Sequence, residues 1–252
     1  MENYKSDVEI KLVALDMDGT LLNKQGQVSE ANRHAIQAAK DKGIIVVLST
    51  GRSLTTSREH ADSLELNSYL VTVNGSEIWD ENRELVQRNL VKSEHIEWMW
   101  ELSQQHNTQF WAISTERNFH NEMPEDIHRL EWMKFGFNID DDNTRAIIMK
   151  ELQDKGEFEL SNSTLKNIEV NLAGINKAKG LELVCSRLGL EMKDVMAVGD
   201  SLNDLAMIKA AGMGVAMGNA QDLVKESADW VTATNEEDGV AKAIDKWVLK
   251  KY

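Results

Sequence analysis

The chain has 252 residues, 42% of them hydrophobic, enough to bury one large core or two modest ones. Its 28 Lys and Arg stand against 42 Asp and Glu, a formal charge of −14, which argues against a nucleic-acid surface and against docking on anionic membranes. That balance leaves room for an anionic substrate, because a few local cations and a metal outweigh a distant surface field.

The opening Met-Glu-Asn-Tyr-Lys-Ser-Asp is polar and does not read as a signal peptide. No apolar run in the chain approaches the roughly 18 residues of a membrane-spanning helix. Leu12 to Leu15 form a short apolar run, as in a strand buried on both faces of a parallel sheet. It ends in Asp16-Met17-Asp18-Gly19, where Gly19 lets the chain leave the strand sharply. Taken alone this is equally a solvated Asp-Gly turn. Ser29 then caps a helix through Ala31, Ile36, Ala39 and Lys42, stopped at Gly43. Ile44 to Leu48 reads as a second buried strand, ending in Ser49-Thr50-Gly51-Arg52, and a helix runs on to about Leu64. A third strand, Tyr69 to Val73, meets Asn74-Gly75, a hairpin signal before the alternation around Ile78 and Trp79. Strand–helix–strand alternation predicts a parallel sheet with helices on its faces.

From about Leu85 the texture changes. A helix containing Ile96, Met99, Trp100 and Leu102 leads to a strand at Thr108 to Ser114, and Pro124, the only proline, is expected in the first turn of a short helix. Met133 to Ile139 reads as a strand and Thr144 to Leu152 as a helix. Phe158-Glu-Leu and Ile168 to Leu172 alternate as in an antiparallel sheet with one exposed face. The segment therefore reads as an α+β domain, residues 85–175, inserted into a core made of 1–84 and 176–252. Four of the seven tryptophans (Trp98, Trp100, Trp111, Trp132) lie in it, either as core packing or as the lining of a substrate pocket.

The α/β pattern then resumes. A helix over Leu181 to Leu188 holds Cys185, the only cysteine, which precludes an internal disulfide and fits a reducing cytoplasm, as a buried, inert thiol. A strand at Val195 to Val198 ends in Gly199-Asp200-Ser201-Leu202-Asn203-Asp204. A helix to Ala211, a strand at Gly214 to Met217 before Gly218-Asn219-Ala220, a short strand at Trp230 to Thr232 and a helix through Val240, Ile244 and Trp247 complete the chain.

Three of these strands end in polar residues: Asp16 and Asp18; Thr50 with Arg52; Asp200 with Asn203 and Asp204. Side by side in one parallel sheet, these groups meet at the edge where such folds bind ligands. Two carboxylates about 4 Å apart repel by roughly 4 kcal/mol at an effective dielectric near 20, so gathered acids call for a cation or for protonation. A few carboxylates with room for waters and a phosphate suit Mg²⁺ better than Ca²⁺, and no Cys/His cluster has zinc spacing. An Asp at a metal is a competent nucleophile towards phosphorus; Asp18 is placed to protonate the departing oxygen and then to activate water. Thr50 offers a hydroxyl, Gly51 an unobstructed N–H, and Lys177 a fixed positive charge.

These residues resemble the haloacid dehalogenase superfamily, and within it the Cof-type (subfamily IIB) phosphatases. Asp16-Met-Asp-Gly-Thr-Leu-Leu looks like the first motif of that family, Thr50-Gly51-Arg52 the second, Lys177 the third, and Gly199-Asp200-Ser-Leu-Asn203-Asp204 the fourth. The resemblance implies a Rossmann-like parallel-sheet core with an inserted α+β cap domain. It implies Asp16 as nucleophile and Mg²⁺ ligand, Asp18 as acid/base with its backbone carbonyl on the metal, and Asp200 as a further ligand. Met17 through its amide, Thr50, Gly51, Lys177 and Asn203 are implied to hold the phosphate, and Asp204 to orient ligands or Lys177. The third motif departs from the frequent Lys-Gly, reading Lys177-Ala-Lys179-Gly180; register with Leu181, Leu188 and Gly189 favours Lys177 over Lys179.

The activity so implied is Mg²⁺-dependent hydrolysis of small phosphorylated metabolites, sugar phosphates or similar monoesters, by a cytoplasmic monomer or weak homodimer. The alternatives are a phosphomutase or phosphotransferase on the same scaffold, and a non-catalytic metal- or phosphate-binding regulatory module. Arg52 either pairs with an acid or touches substrate, Asn219 either caps a helix or touches substrate, and Asn74 either serves its turn alone or marks the site. The six histidines are scattered, as surface or packing groups.

Overall fold

A computed structural model describes residues 9–251; the polar segment before them, read above as no signal peptide, lies outside the described residues. Its elements in chain order are β1 (Leu12–Leu15), α1 (Glu30–Asp41), β2 (Ile45–Ser49), α2 (Leu54–Ser63), β3 (Leu70–Thr72), β4 (Glu77–Trp79) and β5 (Leu85–Arg88). Then follow α3 (Ser93–Gln105), β6 (Gln109–Ser114), β7 (Asn118–His120), β8 (Trp132–Asn138), α4 (Asp142–Lys155), β9 (Phe158–Ser161) and β10 (Asn167–Leu172). The last are α5 (Lys177–Leu188), β11 (Val195–Gly199), α6 (Leu205–Ala210), β12 (Met213–Ala216), α7 (Asp222–Ser227), β13 (Trp230–Val231) and α8 (Gly239–Trp247). By contact density the chain divides into two compact units, one up to Val86 and from Lys177 onward, the other Gln87–Asn176.

In the first unit an eight-stranded sheet runs β13-β12-β11-β1-β2-β3-β4-β5. β1 pairs in parallel with both β2 and β11, Leu15 standing level with Leu48 and Val198. Alternate residues of β1 face opposite layers, as the pleat requires. Val13 and Leu15 pack with Ala35, Ile36, Val240 and Ile244 of α1 and α8. Leu12 and Ala14 pack with Leu181, Val184 and Cys185 of α5 and with Met207 of α6. Ser29 caps α1, its hydroxyl accepting from the Asn32 N–H at 3.2 Å. Asn74 and Gly75 do turn the chain, β3 pairing antiparallel with β4, and Val73 joins them at positive φ. α7 and the short edge strand β5 were not foreseen from the sequence. Cys185 is buried, and burial pushes its thiol up to about 11.

The second unit is an antiparallel sheet in the order β7-β6-β8-β10-β9. One face packs under α3 and α4 through Phe110, Phe135, Phe137, Ile168 and Val170 against Ile96, Met99, Ile148 and Leu152. Trp132 lies in this core, and Trp98 and Trp100 pack against it, which accounts for three of the tryptophans as packing. The other face corrects an expectation: it is not exposed along β8 and β10, where Lys134 and Glu169 are buried and neutralise one another at 2.7 Å. Pro124 also departs from expectation, standing in a loop ahead of a single 3-10 turn at Ile127–Arg129, because β8 follows too soon for a helix to form. No helix among the described residues is long and apolar enough to cross a membrane.

Candidate active site

Asp16 is the first residue past β1, its N–H donating to the Val198 carbonyl at 3.0 Å, so its carboxylate emerges between the ends of β2 and β11. Gly19 turns the loop at φ +80°, and a Cβ there would overlap Asp200 Oδ2; only glycine permits this loop to close so tightly on that carboxylate. Asp200 follows β11 and accepts from Thr20 Oγ1 at 3.3 Å and from Ser201 Oγ at 3.1 Å. Asp204 closes a capping box, its Oδ2 accepting from the N–H groups of Asp200 (2.9 Å) and Ser201 (3.0 Å). A side chain at Gly199 would overlap the Asp204 carboxylate, which folds back onto that glycine. Lys177, the first residue of α5 and wholly buried, bridges two acids: Nζ lies 2.5 Å from Asp16 Oδ1 and 2.6 Å from Asp204 Oδ1. Lys179 is exposed and paired with Glu182, so Lys177 is the lysine that reaches the acids.

One oxygen each of Asp16, Asp200 and Asp204 lie within 4.8 Å of one another. A single ammonium faces these buried acids, and their protonation responds. Burial, then the charges of Asp204 and Asp200, hold the Asp16 carboxyl well above the usual range, although Lys177 pulls it down. Burial and the Asp204 charge push Asp200 up to about 7. Burial alone would pull the Lys177 ammonium down, but Asp16 and Asp204 more than offset it, so it remains charged. An all-oxygen donor set with surplus negative charge and no Cys or His in the group fits a hard cation such as Mg²⁺.

The remaining predicted residues are distributed as follows. The Asp18 carboxylate is not part of the acid cluster; it turns outward to the Arg52 guanidinium, with Nε–Oδ2 at 2.7 Å and Nη2–Oδ1 at 2.5 Å. Arg52 thus pairs with an acid. Thr50 is buried, and its Oγ1 accepts from the Arg52 N–H at 3.1 Å. Its carbonyl accepts from the Asn74 N–H at 2.9 Å, which stitches the Asn74-Gly75 turn to this loop. Gly51 is half-buried and Met17 fully buried. Asn203 is buried, with its side-chain carbonyl unpaired among the described residues. Asn219 is not a helix cap, since α7 starts after Gln221; its amide donates to the Gly19 carbonyl at 2.8 Å and its oxygen accepts from the Asn235 N–H at 3.0 Å. Thr20 and Ser201 were passed over by the sequence reading, although a hydroxyl directly beside each acidic motif is a legible signal.

Comparison with known proteins gives this arrangement its relatives. A family model for haloacid dehalogenase-like hydrolases matches residues 13–146 and 124–244. The 5-amino-6-(5-phospho-D-ribitylamino)uracil phosphatase of Bacillus subtilis is 57% identical over 249 residues, covering 99% of this chain and 100% of that protein. The phosphoglycolate phosphatase of Methanobrevibacter smithii is 30% identical over 258 residues, covering 96% of this chain and 100% of the other. Among solved structures, a phosphatase of the haloalkanoate enzyme superfamily from Bacteroides thetaiotaomicron superposes with a TM-score of 0.83 at 28% identity, over 96% of this chain and 97% of that one. The chain belongs to the haloacid dehalogenase-like hydrolases, and within them it is a Cof-type phosphatase.

Proposed function

We propose that this phosphatase is Mg²⁺-dependent and works through an aspartyl-phosphate on Asp16, on a small phosphomonoester such as 5-amino-6-(5-phospho-D-ribitylamino)uracil. The observation that carries the mechanism is Lys177 bridging Asp16 and Asp204 beside Asp200 at the carboxyl end of β1. The substrate reading is supported by the Bacillus subtilis relative, a 5-amino-6-(5-phospho-D-ribitylamino)uracil phosphatase. Asp16 and Asp200, with the backbone carbonyl of Asp18, would hold the metal, which when bound offsets charge on the phosphoryl oxygens.

Asp16 attacks phosphorus, forming a carboxylate–phosphorus bond as the ester bond breaks. Asp18 gives its proton to the departing oxygen, so its pair with Arg52 opens before that step. Lys177, the Thr50 hydroxyl, the N–H groups of Met17 and Gly51, and Asn203 hold the phosphoryl oxygens in place. Asp18 then takes a proton from water as the water attacks the phospho-Asp16, releasing inorganic phosphate. Asp204 acts through Lys177 and the Asp200 loop, fixing both. In this reading the unit Gln87–Asn176 is the inserted cap domain that the resemblance implies. The surplus of acidic residues favours a small-molecule substrate, and the buried, unpaired Cys185 favours a cytoplasmic setting.

Phosphate release from 5-amino-6-(5-phospho-D-ribitylamino)uracil, with Mg²⁺ and with the metal chelated, tests this reading. Turnover should require the metal and vanish in Asp16→Asn; full activity in that variant overturns the mechanism.

A further inference from the structure

Asn219 is exposed, yet both ends of its amide are committed to backbone from distant parts of the chain. Its Nδ2 donates to the Gly19 carbonyl at 2.8 Å, and its Oδ1 accepts from the Asn235 N–H at 3.0 Å. The Asn235 side chain in turn donates to the Leu22 carbonyl at 2.8 Å. The two asparagines, joined to each other, therefore grip the turn over residues 19–22 at both of its ends. The grip continues along the same segment, where the Lys24 N–H donates to Glu236 Oε1 at 2.7 Å and Ser29 Oγ to Asp238 Oδ1 at 2.6 Å. The loop carrying Asn219 is itself anchored. The Gln221 N–H donates to the Asp200 carbonyl at 2.9 Å, and the Gly218 N–H to the Ala233 carbonyl at 2.9 Å. A Cβ at Gly218 would lie 2.9 Å from the Thr234 nitrogen, so glycine lets the two loops approach this closely.

Stability gives this arrangement little reason. A hydrogen bond open to water contributes little net, and ordering an exposed side chain costs part of that gain. What the grip fixes is position. The Thr20 and Leu22 N–H groups both donate to the Met17 carbonyl, at 3.3 and 2.9 Å, so the chain closes on itself around Asp18. A shift of the carbonyls at 19 and 22 therefore carries Asp18 with it. The Asp18 carboxylate is exposed and leaves Arg52 before it meets the ester, so only the backbone beneath it sets where it arrives.

We propose that Asn219 and Asn235 are positioning residues for the proton transfer to the leaving group. Through the turn over residues 19–22 they hold the Asp18 backbone where its carboxyl reaches the departing oxygen. Neither asparagine touches the ester; both act through Asp18, and the assignment rests on the reading of Asp18 as proton donor given above.

The test compares kcat/KM, with Mg²⁺, for an alkyl ester, 5-amino-6-(5-phospho-D-ribitylamino)uracil, and an aryl ester, 4-nitrophenyl phosphate. The enzymes are the wild type, Asp18→Asn, Asn219→Ala and Asn235→Ala. The aryl ester releases a weakly basic phenolate that departs without a proton, whereas the alkyl oxygen must be protonated as it leaves. Because kcat/KM covers the steps up to phosphoryl transfer, the later work of Asp18 on water does not enter. A misplacement of about 1 Å costs on the order of a hundredfold, so partial loosening in Asn219→Ala should lower the alkyl-to-aryl ratio by about tenfold. Asp18→Asn should lower it further, and Asn235→Ala, which keeps the N–H that binds Asn219, should lower it in the same direction. General loosening of the fold would lower both esters alike. If Asp18→Asn lowers the ratio and Asn219→Ala does not, the proposal is overturned while the proton-donor reading stands, whether or not Asn235→Ala folds. If Asp18→Asn loses both esters equally, that reading is overturned and the proposal with it.

Discussion

Lys177 holds two carboxylates together, with all three side chains buried. Lys177→Met leaves Asp16 and Asp204 buried and without their cation. Removing one partner of a buried ion pair costs about 3–5 kcal/mol, so a urea titration should show destabilisation of that order together with loss of turnover. The acids also set a pH dependence. Burial raises the folded-state values of Asp16 and of Asp200, the latter to about 7, so between pH 4 and 7 these two groups bind more protons in the folded chain than in the unfolded one. Without divalent cations, their contribution to stability should therefore be greatest at the acidic end of that window and be lost as pH rises through about 7. In Asp200→Asn the decline in melting temperature should be shallower; an identical decline means that Asp200 does not titrate there. The Asp18 carboxylate is 58% exposed and held by Arg52. Its separation from the acid cluster could not be read from Asp-x-Asp-Gly, where the two acids are equivalent by type.

At the scale of elements, β1, β2 and β11 were legible because each is a short apolar run ending in polar residues, and their parallel register puts those ends level. Lys177 over Lys179 was legible as well, from the helical register that buries one and exposes the other. Elements stabilised by their neighbours escaped the reading. β7 has three residues and β5 four, and α7 six, too few to carry a period. The buried polar face of the inserted sheet escaped for a related reason: a charged residue set among apolar ones, Lys134 in β8 or Glu169 in β10, looks solvated until its partner on the other strand is known. The loop between β1 and α1 yields its own prediction. Gly19→Ala meets both a positive φ and the Asp200 carboxylate. The backbone term alone is about 1–2 kcal/mol, and displacement of Asp200 should weaken Mg²⁺ binding measured by calorimetry. Unchanged affinity would separate the loop from the proposed metal site.

At the scale of the whole molecule, the proposed site draws on both ends of the first unit: Asp16 and Thr50 come before the second unit in the chain, Lys177 and Asp200 after it. The family motifs were readable in order along the chain, but which of their side chains touch depends on the sheet order that brings β11 beside β1. The Cys185 thiol reports on the integrity of that fold. Buried and pushed up to about 11, it should react with a thiol reagent at neutral pH only at the rate of global or local opening, and rapid labelling of the folded protein would contradict its burial. The central claim, that Asp16 captures the phosphoryl group, is tested most directly by rapid acid quench of the enzyme turning over a ³²P-labelled phosphomonoester with Mg²⁺, followed by peptide mapping. The account predicts label on the peptide containing Asp16, appearing and decaying within one turnover and absent from Asp16→Asn. Label on another residue, or steady phosphate release with no labelled peptide at any quench time, would contradict it.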